Sequence, residues 1–155
     1  MEKPESNHNP PLFARPFFLS LTIGIPFCIF KILFGMSALR EGGDQDFILK
    51  AIGFFILIWA GTDFFMNSGR IIIDLLNKES SFDYCTIGQA GRYLGRPLVF
   101  LAIDTLLTFL IICFMLWSGW ITHLSVIEQY FWYAATTLNL ISLSIVSLYN
   151  EIHKL

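Results

Sequence analysis

The stretch PLVFLAIDTLLTFLIICFMLWSGW at Pro97–Trp120 decides the fold, because it is continuously apolar apart from a few hydroxyls and one acid. A helix needs roughly 20 such residues to cross about 30 Å of hydrocarbon. Three further runs have a similar length and character. The four runs are Pro16–Ser37, Phe47–Met66, Pro97–Trp120 and Gln129–Tyr149.

The composition agrees with membrane residence. Hydrophobic residues make up 55% of the 155 residues and charged residues only 14%, against roughly 25% charged in a typical soluble domain. Each run must satisfy its backbone hydrogen bonds internally, which favours helices. A membrane β-barrel would need alternating polar and apolar residues, whereas Leu110–Leu116 (LIICFML) is continuously apolar. We predict an all-α integral membrane protein with four transmembrane helices.

The chain divides into a polar tail, residues 1–15, and a four-helix transmembrane domain, residues 16–155. The largest loop predicted between helices covers residues 67–96. Within it, Arg70–Lys78 (RIIIDLLNK) has apolar residues at helical spacing. It either continues the second helix or forms a short helix lying in the membrane interface. In the first run, Pro26 is expected to kink the helix.

The distribution of basic residues predicts the orientation. Seven Lys and Arg residues flank one side of the predicted bundle, and only Arg40 and Lys50 flank the other. Short cytoplasmic loops carry the excess of positive charge. We therefore expect both termini and the loop of residues 67–96 in the cytoplasm, most simply of a bacterial inner membrane. The seven are Lys3, Arg15, Arg70, Lys78, Arg92, Arg96 and Lys154.

Asp104 is the foremost candidate for a functional residue. It lies seven residues after Pro97, which places it roughly 10 Å inside the apolar layer. A charged residue in lipid costs about 2.5–3.5 kcal/mol on insertion scales, so it must pair, protonate or contact water. One interpretation is a proton or cation site, and the other is a structural hydrogen bond to a neighbouring helix or subunit.

Polar residues near the predicted depth of Asp104 are candidate partners. Thr108 lies one turn further along and either bonds its own backbone or orients the carboxylate. Asn139 and Ser142 share one face of the last run with Ala135, and Ser142 lies at about the same depth as Asp104. Small and amide residues on one face typically mark a contact between helices.

Two further charged residues fall within or near the runs. Asp63 lies three residues from the predicted end of the second helix and is expected to reach the headgroups. Lys31 is near the predicted outer end of the first helix, where a long side chain snorkels outward. Its predicted depth differs from that of Asp104 by about 10 Å. A direct pair between Lys31 and Asp104 in one protomer is therefore not expected, and Lys31 faces the surface or a partner subunit.

Arg92 and Arg96 lie one helical turn apart beside the predicted inner surface, as does Arg70. Arginines in this position suit lipid phosphates or a partner protein, and they equally serve as orientation charges. They overlap Gly91-x-x-x-Gly95, a motif with little meaning outside an apolar run.

No motif for catalysis, metal binding or a cofactor is present. The chain has no HExxH, GxSxG, P-loop or dinucleotide fingerprint, no CxxC and no basic tract for nucleic acid. An enzyme is not expected. Two hypotheses remain. The first is a non-catalytic subunit, scaffold or assembly factor that packs with other membrane subunits in the lipid bilayer. The alternative is a small transporter or channel, working as a homo-oligomer, with Asp104 as its ionisable site.

Overall fold

The structure is a computed structural model and describes residues 15–43, 46–76 and 85–152. These residues form helices and no strand. Among them, four helices are long and apolar enough to cross a membrane. The predicted polar tail, apart from Arg15, and the basic residues Lys78 and Lys154 lie outside the described residues.

Each long helix corresponds to one of the predicted runs, although the third ends at Trp117, three residues before the predicted end at Trp120. We name the helices in chain order, and the short α3 lies between the second and third of the long ones. One end of the bundle, the tail side, is where α1 and α4 begin and α2 and α5 end; the opposite end is the hairpin side. The helices are α1 (Phe17–Glu41), α2 (Phe47–Leu75), α3 (Thr86–Tyr93), α4 (Pro97–Trp117) and α5 (Val126–Ile152), with a 3₁₀ turn at Trp120–His123.

Side chains that cap free backbone N–H groups mark where the helices start. The carboxylate of Asp46 accepts a hydrogen bond from the N–H of Leu49 at the start of α2. Before α5, Ser125 and Glu128 form a reciprocal pair, in which each side chain accepts from the other's N–H. This arrangement is a capping box. Pro97 occupies the first turn of α4, where its missing N–H costs nothing.

The first helix is the centre of the bundle. Half of the residues in the apolar stretch of α1 are buried, against 17% for α2, 17% for α4 and 22% for α5. Its aromatic residues contact both later helices, since Phe30 meets Trp132 of α5 at 4.9 Å and Phe27 meets Phe109 of α4 at 5.8 Å between ring centroids. The last helix therefore packs on α1, the first helix in the chain, and α1 connects it to α4.

A π-helical turn at Ser20–Gly24 interrupts α1 just before Pro26. The N–H of Ile25 bonds the carbonyl of Ser20, five residues back, which is the π-helical pattern. Pro26 has no N–H to continue the α-helical ladder, so the distortion predicted at this proline lies in the turn before it.

The second helix is longer than predicted. It continues to Leu75, and residues 70–75 therefore extend it. The polar residues Asn67, Arg70 and Asp74 belong to this helix. They do not break it because they face the protein: Asn67 is 1% exposed, and Asp74 accepts a hydrogen bond from the N–H of Phe17 at 3.3 Å.

Glycines allow two close approaches between helices. A Cβ on Gly53 of α2 would lie 2.9 Å from the carbonyl oxygen of Gly35 and 3.0 Å from the Cβ of Ala38, both in α1. A Cβ on Gly91 of α3 would lie 2.5 Å from the Cβ of Phe100 in α4. Small residues bring helix backbones together in this way, and the second contact holds α3 against the start of α4.

Candidate functional site

Three charged side chains from three helices meet in the interior. The Lys31 ammonium of α1 lies 2.8 Å from Oδ2 of Asp63 in α2 and 2.7 Å from Oδ1 of Asp104 in α4. Their exposed fractions are 1%, 1% and 3% respectively. We call these three residues the charge cluster. Charges withdrawn from water this completely persist only when paired and hydrogen-bonded, and each member here supplies a partner for another.

The two carboxylates have different surroundings. Oδ1 of Asp63 accepts hydrogen bonds from the backbone N–H of Thr86 at 2.6 Å and from its hydroxyl at 2.7 Å, in addition to the Lys31 contact. Asp63 is thus surrounded by three donors, all suited to a carboxylate in its ionised form. Asp104 shares Lys31, has the Cys85 thiol as its other hydrogen-bond neighbour and, like Asp63, lines a cavity. The start of α3 therefore contacts both carboxylates, through Thr86 on Asp63 and through the Cys85 side chain on Asp104.

An aromatic ring completes the surroundings of the ammonium. The Nζ of Lys31 lies 4.0 Å from the ring centroid of Trp59 in α2. A cation over the face of an indole is attracted by the negative potential of the ring. Trp59 and Asp63 are four residues apart, so a single face of α2 presents both the ring and the carboxylate.

The predicted positions of Lys31 and Asp63 are wrong. Lys31 does not reach the surface but lies in the core, and it pairs directly with Asp104 within one chain. Side chains on a helix lean toward its N-terminus, and a long lysine stem reaching that way covers the offset in depth. Asp63 does not reach the headgroups because α2 continues twelve residues beyond it, to Leu75.

The residues proposed to partner Asp104 are buried but do different things. The hydroxyl of Thr108 donates to the carbonyl of Asp104 at 2.9 Å, so it bonds its own helix. Asn139 and Ser142 are 5% and 3% exposed and lie, with Ala135, on the buried face of α5. No hydrogen bond joins either to Asp104 in the part of the chain that the structure describes, and Lys31 takes that place.

The three arginines singled out from the sequence lie away from the charge cluster. Arg92 and Arg96 are exposed at the end of α3 and just before α4, both at the tail side. Arg70 is half-buried in the extended part of α2. They remain candidates for contact with headgroups or a partner.

A partly open cavity of about 190 Å³ adjoins the charge cluster. Its lining includes all three charged residues and the thiols of Cys28 and Cys85. Cys85 lies just before α3 and is 4% exposed; its sulfur accepts a hydrogen bond from the N–H of Gly88 at 3.2 Å. Burial, with the neighbouring Asp104 carboxylate, raises the pKa of the Cys85 thiol to about 12. Cys85 is therefore a neutral thiol under ordinary conditions.

Sequence reasoning missed Trp59, Thr86 and Cys85 as members of the site. One signal was available for the helix that carries part of it. Asp63, Asn67, Arg70 and Asp74 recur at spacings of four, three and four residues, the periodicity of one helix face. That pattern indicates a helix continuing past Met66 with a polar face turned inward.

Comparisons with known proteins add no relative to this geometry: no family model, curated protein or solved structure matches the chain.

Proposed function

We propose that this protein is a small membrane transporter or channel in which the charge cluster is the ionisable centre. The observation that supports this is a buried excess of negative charge beside a cavity. One ammonium and two carboxylates, all within contact distance, sum to a formal charge of −1. Intramembrane ionisable residues typically mark ion or proton pathways.

The cluster assigns different roles to its acids. Asp63, with three donors around it, is the fixed counter-ion of Lys31. Both acids line the cavity, but Asp104 is bonded only by Lys31 and the weakly donating Cys85 thiol among the described residues, so it is the group that takes up a proton or a cation when the excess charge is neutralised. The centre would thereby alternate between a protonated and a cation-bound form.

Flux through purified protein tests this proposal. The protein is reconstituted in liposomes that enclose a pH-sensitive dye, and proton flux is driven either by an imposed potassium diffusion potential or by an inward gradient of an organic monocation. We expect flux above that of protein-free liposomes, and its loss in Asp104→Asn, which keeps the shape and an acceptor for Lys31. Glu41→Gln is the matched control, because it removes a carboxylate at the hairpin side, far from the cluster. Equal flux in Asp104→Asn and the wild type, or no flux in the wild type, would overturn the proposal.

A second candidate is a non-catalytic subunit, scaffold or assembly factor of a larger membrane complex. The observation that favours it is the small buried share of α2, α4 and α5, whose outward faces are available to partner subunits as well as to lipid. In this case the charge cluster only holds three helices together. Extraction in mild detergent followed by identification of co-purifying chains separates the candidates, because a homo-oligomer or monomer without other chains counts against a subunit.

The orientation is proposed with both termini cytoplasmic in a bacterial inner membrane, on the strength of the basic residues at the tail side. With this orientation α3 lies at the inner interface, where Arg92 and Arg96 would contact lipid phosphates. Cysteines introduced at Arg96 and at Glu41, in a background without native cysteines, should react with impermeant maleimide from opposite sides of the membrane. Reaction of both from the same side would contradict the topology.

A further inference from the structure

The cavity beside the charge cluster combines an apolar wall with a charged end. Four apolar side chains from the first and fourth helices line one part of it, and the three charged residues line another. The apolar residues are Leu19, Ile23, Phe27 and Leu101. A ligand matching this surface has a hydrophobic body and a polar head placed at the carboxylates.

The sign of the charge restricts the head group. The three residues of the cluster sum to −1, so a bound anion would raise the buried negative charge to −2. In the absence of a ligand, a proton on Asp104 compensates this excess; a neutral ligand would leave that proton in place and gain no ion pair, whereas a monocation can replace it and keep the sum at zero. Buried charges are tolerated when they are compensated in this way.

The volume restricts the body. An engineered cavity of about 150 Å³ lined by apolar side chains holds one benzene molecule. The present cavity of about 190 Å³ has room for one such ring and a short polar extension. Inorganic cations are poor occupants, because the apolar wall cannot replace their hydration shell.

We propose that this cavity binds a small hydrophobic monocation, of the size and chemistry of a protonated arylalkylamine, with its ammonium group on Asp104. This names the substrate class of the proposed transport function and, as a claim about transport, depends on that function; the binding itself does not. When the cation enters, the carboxyl group of Asp104 gives up its proton to the solvent. One ion pair forms, one O–H bond breaks, and the net charge of the cluster with its occupant is unchanged.

The other titratable groups near Asp104 do not take part in this proton exchange. Lys31 and Cys28 face it from α1, Asp63 from α2, and Cys85 from the start of α3. Lys31 lies against both carboxylates and Trp59, and Asp63 is bonded by Lys31 and Thr86. The pKa of the Cys85 thiol is raised to about 12.

Benzylammonium and benzyl alcohol make a matched pair of probes, since they share a ring and a size and differ in charge. Binding to the full-length protein in detergent is measured by titration calorimetry. We expect benzylammonium to bind and benzyl alcohol to bind at least about tenfold more weakly, the value of one charge-assisted contact. Benzylammonium affinity should fall as the pH is lowered, and titrations in buffers of different ionisation enthalpy should show proton release.

Two pairs of variants locate the site. Asp104→Asn should weaken benzylammonium binding about tenfold or more, while Glu41→Gln should not. Leu101→Phe fills the cavity without changing charge and should also weaken binding. Leu106 is 60% exposed on the outward face of α4, so Leu106→Phe makes the same change away from the cavity and should leave binding intact. Thermal unfolding of each variant shows whether it is folded.

The outcomes separate this inference from the proposed function. Equal binding of the two probes, or benzylammonium binding that survives Asp104→Asn, would overturn the inference. So would the absence of benzylammonium binding to the wild type. Proton flux without binding would refute the cation site and leave the transport function standing. Selective binding without proton flux under either driving gradient would support the cation site and refute transport.

Discussion

The Lys31 ammonium lies 2.7 Å from a carboxylate oxygen of Asp104, although the two residues are 73 positions apart in the sequence. The same ammonium contacts Asp63 of α2, so one side chain joins three helices. A centre of this kind has two energetic aspects. Assembling it costs desolvation, which the pairing offsets, and removing one partner leaves a charge in a place where water cannot compensate it.

Replacement of Lys31 by methionine should therefore destabilise the protein strongly. Two carboxylates would remain buried without their cation, at a cost of about 3–5 kcal/mol. The triple variant Lys31→Met, Asp63→Asn, Asp104→Asn should be more stable than the single one, because no uncompensated charge remains. Thermal unfolding in detergent measures both. A triple variant that is no more stable than Lys31→Met would show that the charges are not coupled.

The sequence predicts the four spans well and the charge cluster poorly, and both results have physical causes. The spans follow from long apolar runs, since only an internally bonded helix can carry them through lipid. The cluster depends on where a polar side chain points. Asn67, Arg70 and Asp74 resemble loop residues in composition, yet they face the protein and extend α2 to Leu75. Because α2 was predicted to end at Met66, Asp63 was placed at the membrane surface and was not recognised as the second acid of the charge cluster.

The position of Lys31 was predicted wrongly for the same reason, because the sequence does not reveal where this side chain points. Depth counted along the backbone separates it from Asp104, and a lysine near lipid is expected to snorkel outward. The start of α5, in contrast, carries a local signal that the prediction did not use: Ser125 and Glu128 have the spacing of a capping box, and the helix begins at Val126, three residues before the predicted start at Gln129. Local signals of this kind survive in a single sequence, while contacts between distant segments do not.

The hydroxyl of Thr86 should stabilise the attachment of α3 to the charge cluster. Thr86→Val removes the 2.7 Å hydrogen bond to Asp63 and keeps the 2.6 Å bond from the backbone N–H. We expect a loss of about 1 kcal/mol and faster hydrogen exchange in α3. Thr86→Ser should restore both values. Thr62→Val is the control, since the Thr62 hydroxyl donates only to Ile58 of its own helix; an equal loss there would argue against a specific role for Thr86.

Two glycines of α2 should respond oppositely to alanine. A Cβ at Gly53 would press on the carbonyl of Gly35 and on Ala38, so Gly53→Ala must separate α1 from α2 and destabilise the protein by about 1–3 kcal/mol. At Gly61 a Cβ meets nothing within 4 Å. Gly61→Ala should therefore be neutral or stabilising by up to about 1 kcal/mol, from helix propensity. Unfolding in detergent gives both values, and equal effects would contradict the close approach of α1 and α2.

The raised pKa of Cys85 makes a prediction about alkaline conditions. Its thiol ionises near the ordinary value of 9.0 when the chain is unfolded and at about 12 in the folded protein. The unfolded chain therefore gives up this proton first as the pH rises. The thiol's contribution to stability is fully present below about pH 9 and is lost progressively toward pH 12.

Cys85→Ser keeps an acceptor for the N–H of Gly88 but does not titrate in this range. The melting temperature of the wild type minus that of Cys85→Ser should fall between pH 8 and pH 10.5 because ionisation of the unfolded state grows across that interval. A difference independent of pH would show that the buried thiol has no raised pKa. Alkylation at pH 8 gives a second measurement: Cys85 should react with iodoacetamide only after unfolding, since the thiolate is the reactive form.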